Sequence, residues 1–163
     1  MSRLRRFLNQ PRQRRSLLLP CAAALLRAHW RVRMWPFARL APTLGVLQTS
    51  GVAAAAPAAA ADEAVAADLR WVMATLERLW PRRPTCLMLA VAAREVLVER
   101  GLACELYFGV RGRAGDAKPR PPSIEAHAWL RCAGLVVTGE REAERFEPIA
   151  IYRCGPAIAP PPR

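Results

Sequence analysis

The sequence predicts an α+β domain preceded by a helical N-terminal region, and three observations carry that reading. Apolar residues recur at intervals of three and four through two long stretches of the middle third. After Gly101 the period drops abruptly to two. Two such alternating runs are then separated by only Ala133-Gly134, the length of a tight hairpin turn. Helices followed by a run of antiparallel strands define an α+β order rather than alternating βαβ units.

Taken in order, residues 1–45 read as basic and helical. Leu4, Phe7 and Leu8 sit at helical spacing before Pro11, and a second helix starting near Pro11 carries Leu17–Leu19, Ala22–Leu26 and Trp30. Pro20 falls inside it and is expected to kink or divide it. Trp35-Pro36-Phe37 with Leu40 supplies an aromatic anchor. Residues 46–61 are an Ala/Pro-rich linker. A helix over 62–80 follows, with Asp62 as N-cap and Val65, Leu69, Val72, Leu76 and Leu79 on one stripe; Pro81 and Pro84 end it. Thr85 can cap a helix running from Cys86 to about Arg100, which Gly101 stops. Strands are expected over 104–111, 125–132 and 135–138, with a polar loop over 112–123. The main domain spans 62–154 and a Pro-rich tail 155–163.

Composition narrows the function. With 53% hydrophobic and 23% charged residues the chain is globular, and its net charge of +12 is unevenly placed. Ten arginines and no acid lie in residues 1–40, so the rest is nearly neutral. Such an arm contacts an acidic partner or a membrane surface, or is a solvated arginine face. Nucleic acid is disfavoured, because no zinc-finger spacing or stacking aromatic set accompanies the arginines. Five scattered cysteines, none in a CxxC pair, fit a reducing cytoplasm. The apolar runs 16–26 and 46–61 fall short of a membrane span, and arginines follow the first where a cleavage site would be. The expected location is the cytoplasm. No metal is expected, since His127 and Cys132 are five apart on one strand and face opposite ways.

Cys86 and His127 carry the chemistry. A nucleophilic cysteine needs thiolate character, a base and access to its target. Cys86 stands in the first turn of a helix, where free N–H groups and the helix dipole favour an anion. His127 lies in the strand Glu125-Ala-His-Ala-Trp-Leu, on one face with Trp129 and Arg131. The only other histidine, His29, is in the basic arm. Cys104 is expected in the core, Cys132 on the face opposite His127, and Trp129 packed beneath the site.

Pro84-Thr85-Cys86-Leu87, the helix ending at Arg100-Gly101, Phe108-Gly109-Val110-Arg111, and Ala126-His127-Ala128-Trp129 followed by Gly134 together resemble the lasso-peptide B proteins. These are leader peptidases of the transglutaminase-like superfamily. The resemblance covers residues 80–150 and extends more loosely to the N-terminal region. It implies a papain-like or transglutaminase-like core with a cysteine–histidine–acid triad. It also implies removal of the leader from a lasso precursor peptide, a separate leader-recognition-element protein as partner, and a lasso cyclase acting next. Some members are linked to ATP, but this sequence has no Gly-rich phosphate loop and no cofactor site is legible in it.

The third triad residue departs from the family. Gly139 stands about where the resemblance implies an acid, and a glycine side chain cannot orient an imidazole. Ideal pairing across the Ala133-Gly134 turn sets His127 opposite Glu140, which makes Glu140 the substitute. A bulge would shift that register. Thr138, a backbone carbonyl or water are the fallbacks, and Glu140 read simply is a solvated turn acid beside Glu142 and Glu144. Two other functions fit the residues: a transglutaminase-like acyltransferase using the same pair, and a non-catalytic basic adaptor.

Overall fold

The computed structural model describes residues 11–48, 59–112 and 124–155, without the side chains of 141 and 142. The helix expected from Leu4, the centre of the linker, the loop over 113–123 and the tail beyond 155 lie outside the described residues.

Helix α1 (Arg12–Met34) runs without a break through Pro20. Its buried residues Leu17, Cys21, Ala24, Leu25 and Ala28 form one stripe that packs on the domain, and this holds the helix together where the proline removes a backbone donor. A short α2 (Phe37–Leu40) and a 3-10 turn (Ala41–Thr43) lead into β1 (Val46–Gln48). The linker expected over 46–61 therefore opens with a strand.

Helix α3 (Ala60–Leu79) begins two residues before the expected cap, so Asp62 and Glu63 occupy its first turn, where carboxylates suit the helix dipole. Helix α4 (Cys86–Glu99) starts as its sequence demands. Thr85 is extended, and its Oγ1 accepts the Met88 N–H at 3.3 Å. At the other end Leu102 N–H bonds to Leu97 O at 3.0 Å and Gly101 N–H to Val98 O at 2.9 Å, with Gly101 at φ +73°. That is a Schellman stop.

The strands β2 (Cys104–Gly112), β3 (Ile124–Cys132), β4 (Leu135–Thr138) and β5 (Glu147–Cys154) join β1 in one antiparallel sheet of order β1-β5-β2-β3-β4. A four-residue helix α5 (Glu140–Ala143) links β4 to β5. The α+β class and a helix packed on an antiparallel sheet stand as expected.

Strand alternation gives the sheet two different faces. One face carries Cys104, Leu106, Leu130, Cys132 and Cys154 and is covered by α3 and α4, on which α1 packs in turn. Helix α4 lies centrally, between α1 and the sheet, and buries Met88–Ala93, Val96 and Leu97. Its Arg94 reaches outward from this layer to donate from Nε to Leu44 O at 2.8 Å and to Cys154 Sγ at 3.2 Å. The other face holds a smaller cluster of Tyr107, Trp129 and Phe146, in which Tyr107 and Trp129 stack at 5.3 Å. Gly109 makes room for it, since a Cβ there would stand 2.7 Å from the Trp129 ring.

Because Leu25 is fully buried in the same cluster as α4, the N-terminal helix shares the main core. Leu25→Ala should cost about 2–5 kcal/mol of global stability and lower the urea midpoint of the whole circular-dichroism transition. An unmoved main transition would mean that α1 folds as a separate arm.

Candidate active site

Cys86 is the first residue of α4, half-buried and unoxidised. Its position follows from both ends of the helix: the extended Thr85 cap starts the turn there, and the burial of α4 on all sides fixes the axis along which it points. The other four cysteines are sealed in the core. Burial pushes the Cys21 thiol up to about 12 and the Cys132 thiol up to about 11. Cys104 is raised by its hydrogen bond to Cys154 and by burial. Cys154 is buried and clamped between the Leu44 carbonyl at 2.8 Å and Arg94 Nε, away from any incoming substrate. Cys86 is thus the accessible thiol among the five.

His127 sits in mid-β3, 8% exposed, with its ring against Phe146 at 5.1 Å and Trp129 at 6.0 Å. Its Nε2 lies 3.3 Å from the carbonyl oxygen of Gly139. A carbonyl can only accept, so Nε2 carries the hydrogen, and in the neutral ring Nδ1 keeps the lone pair.

The expected pairing of His127 with Glu140 is not what the strands make. Cys132 pairs with Leu135 and Arg131 with Val136, as the turn length requires, but the next pair is Leu130 with Thr138. One extra residue enters β4 there, and the ladder ends. Glu140 consequently falls in α5, and its carboxylate pairs with Arg70 of α3. The orienting atom brought to His127 from this segment is the Gly139 carbonyl. Thr138, opposite Leu130, shares the helix-covered face and points away from His127; its buried Oγ1 has no partner among the described residues. A glycine is needed at 139 for two reasons: its φ is +78°, and a Cβ would stand 2.8 Å from His127 Nε2.

His127, with Trp129 and Tyr107, lies on the sheet face opposite the helices. No hydrogen bond joins Cys86 to His127 among the described residues. Beyond Leu130 β4 no longer pairs with β3, and Gly139 lies against β3 at His127–Trp129 instead. There the chain passes from Gly139, bonded to His127, to Glu140, bonded to Arg70 in the helical layer. A concavity of about 290 Å³ opens on the His127 face, lined by Tyr107, Trp129, Val136 and Pro148 with Arg131 and Glu144. Among the described residues no group of His, Cys, Asp or Glu side chains is arranged to hold a metal ion, and no helix is long and apolar enough to cross a membrane.

Phe146, which walls the imidazole, was not among the expected site residues, whereas the Gly139 carbonyl is the backbone-carbonyl fallback, with a position no residue type announced. Phe146 had a signal, as the one aromatic in the charged run Glu140–Glu147. The carbonyl had none, because backbone groups leave no mark in a sequence.

A thiol at a capped helix start and a strand histidine on an antiparallel sheet are the parts of a cysteine-dependent acyl-transfer site. A family model described as the transglutaminase-like superfamily matches residues 22–151, so the chain belongs to that superfamily. Its members are commonly cysteine-protease-like enzymes. No curated protein and no solved structure matches the chain.

Two substitutions separate the Gly139 carbonyl from the Glu140 carboxylate. Gly139→Ala should cost about 1–3 kcal/mol through the forced backbone conformation and shift the His127 ring ¹⁵N resonances away from the Nε2–H pattern. Glu140→Gln should leave those resonances in place and change stability by less than about 1 kcal/mol, since its ion pair with Arg70 is half-exposed. A loss of the Nε2–H pattern in Glu140→Gln would return the orienting role to the carboxylate.

Proposed function

We propose that this protein is a cysteine peptidase that removes the leader from a lasso-peptide precursor, with Cys86 as nucleophile and His127 as base. The observation that carries the proposal is the half-exposed Cys86 thiol at the capped N-terminus of a buried helix, within a domain of the transglutaminase-like superfamily. The unpaired N–H groups of that first turn stabilise a thiolate, and after attack they are donors near the developing oxyanion.

In this reading the thiolate adds to the carbonyl carbon at the leader–core junction. His127 Nδ1 takes the thiol proton and returns it to the departing amine. Water then hydrolyses the thioester and frees the enzyme. The imidazole lies on the sheet face away from the helices, so in this reading the pair forms only when peptide binding rearranges the segment at Gly139–Glu140 that packs against His127. A separate leader-recognition protein presents the precursor, and the cyclase takes the released core.

The test is single-turnover cleavage of the precursor in the presence of the recognition protein, followed by mass spectrometry. Cys86→Ala should lower the rate by roughly three to six orders of magnitude with an unchanged circular-dichroism spectrum. His127→Ala should lower it by about two to four orders. Cys104→Ala and Cys132→Ala should retain most turnover wherever they fold. Full activity in Cys86→Ala would refute the assignment, and ligated rather than hydrolysed product would make the enzyme an acyltransferase.

A further inference from the structure

Helix α1 carries an apolar stripe on the side turned away from the core. Leu19, Leu26, Trp30 and Met34 follow one another at helical spacing and are 82%, 62%, 63% and 56% exposed. Arg12 lies seven residues before Leu19, and Arg33 seven after Leu26, so both fall on the same stripe. The residues that normally solvate an outward helix face are thus replaced by large apolar side chains with cations at both ends.

Beside the stripe is a groove of about 400 Å³ lined by Leu26, Arg27, His29, Trp30, Arg31 and Trp35. Its shape is braced from below. Arg27 and Arg31 both bind Glu95 of α4, at 2.6 and 3.3 Å, and Arg39 lies over the Trp35 ring at 4.5 Å. Those contacts hold the walls, and Glu95 together with Glu99, 3.7 Å from Arg27, offsets the charge of the two arginines inside the groove. Arg12, Arg33 and Arg39 pair with no carboxylate among the described residues, so they supply the uncompensated charge around it.

We infer that this face of α1 docks an acidic amphipathic segment of a second protein, its apolar side chains in the Leu26–Trp30–Trp35 groove and its carboxylates on Arg12, Arg33 and Arg39. Charge complementarity selects an acidic partner. The concavity between Leu26, Trp30 and Trp35 favours a polypeptide, because it can take up an incoming side chain as well as present its own. Aromatic and arginine residues are also the usual anchors of protein interfaces. The inference does not rest on the proposed peptidase activity and concerns a surface outside that site.

The experiment uses the full chain and three probes: a fluorescently labelled helical peptide of leucine and glutamate, its lysine-for-glutamate counterpart, and phosphatidylglycerol vesicles. The acidic peptide should bind by fluorescence anisotropy, and more weakly as salt screens the arginines. Trp30→Ala and, separately, Arg33→Glu should each weaken it about tenfold or more, as loss of an interface anchor does. Both positions are exposed, so the fold and the circular-dichroism spectrum should persist. The lysine peptide and the vesicles should bind weakly and without regard to these variants. Absence of acidic-peptide binding, or binding indifferent to both variants, overturns the inference. Vesicle binding lost in Trp30→Ala would overturn it too, by assigning the face to a membrane.

Discussion

The burial of helix α4 on every side is the constraint on which the rest of the molecule depends. Met88–Ala93, Val96 and Leu97 leave it no solvated face between its two ends except through Arg94 and Glu95, so it must be enclosed. The sheet supplies one wall and α1 another, which makes the arginine-rich N-terminal helix part of the core despite its composition. Arg94 and Glu95 then work as tethers, one to Leu44 and Cys154 and the other to Arg27 and Arg31. A helix held this firmly delivers its first residue to a fixed point. That residue is Cys86.

The second half of the site is organised by a different contrast, between the two faces of the sheet. The helix-covered face is aliphatic and thiol-rich. The opposite face gathers Tyr107, Trp129, Phe146 and His127 under a short covering segment. Aromatic walls fix the plane of the imidazole, and the Gly139 carbonyl fixes its tautomer. The register shift after Arg131 is what brings that carbonyl into place. It ends the β3–β4 ladder early and turns the chain so that successive residues serve the two layers. Without the bulge, Glu140 would face His127 and the hairpin could run on.

Much of this was legible in the residues. Thr85 and Gly101 marked both ends of α4 because caps need particular side chains or none. The alternation in 104–111 and the two-residue turn at Ala133–Gly134 gave β2, β3 and β4 within a residue. Other parts were not legible, for identifiable reasons. β1 is three residues long, too short for a period to declare itself. β5 follows a charged run and contains Pro148, a poor strand signal. The pairing of His127 with Glu140 followed from turn length alone, and turn length says nothing of a bulge four residues further on. Pro20 promised a break in α1, but tertiary packing overrode the local penalty.

The central claim is that catalysis passes through a thioester on Cys86, and trapping the attacking thiol tests it most directly. A leader peptide ending in a chloromethyl ketone at the leader–core junction should alkylate one thiol with loss of chloride, and the thioether adduct can be mapped by peptide mass spectrometry. The account predicts a single adduct on the peptide containing Cys86, forming much more slowly in His127→Ala. An adduct on any other cysteine, or equal trapping rates with and without His127, would contradict it.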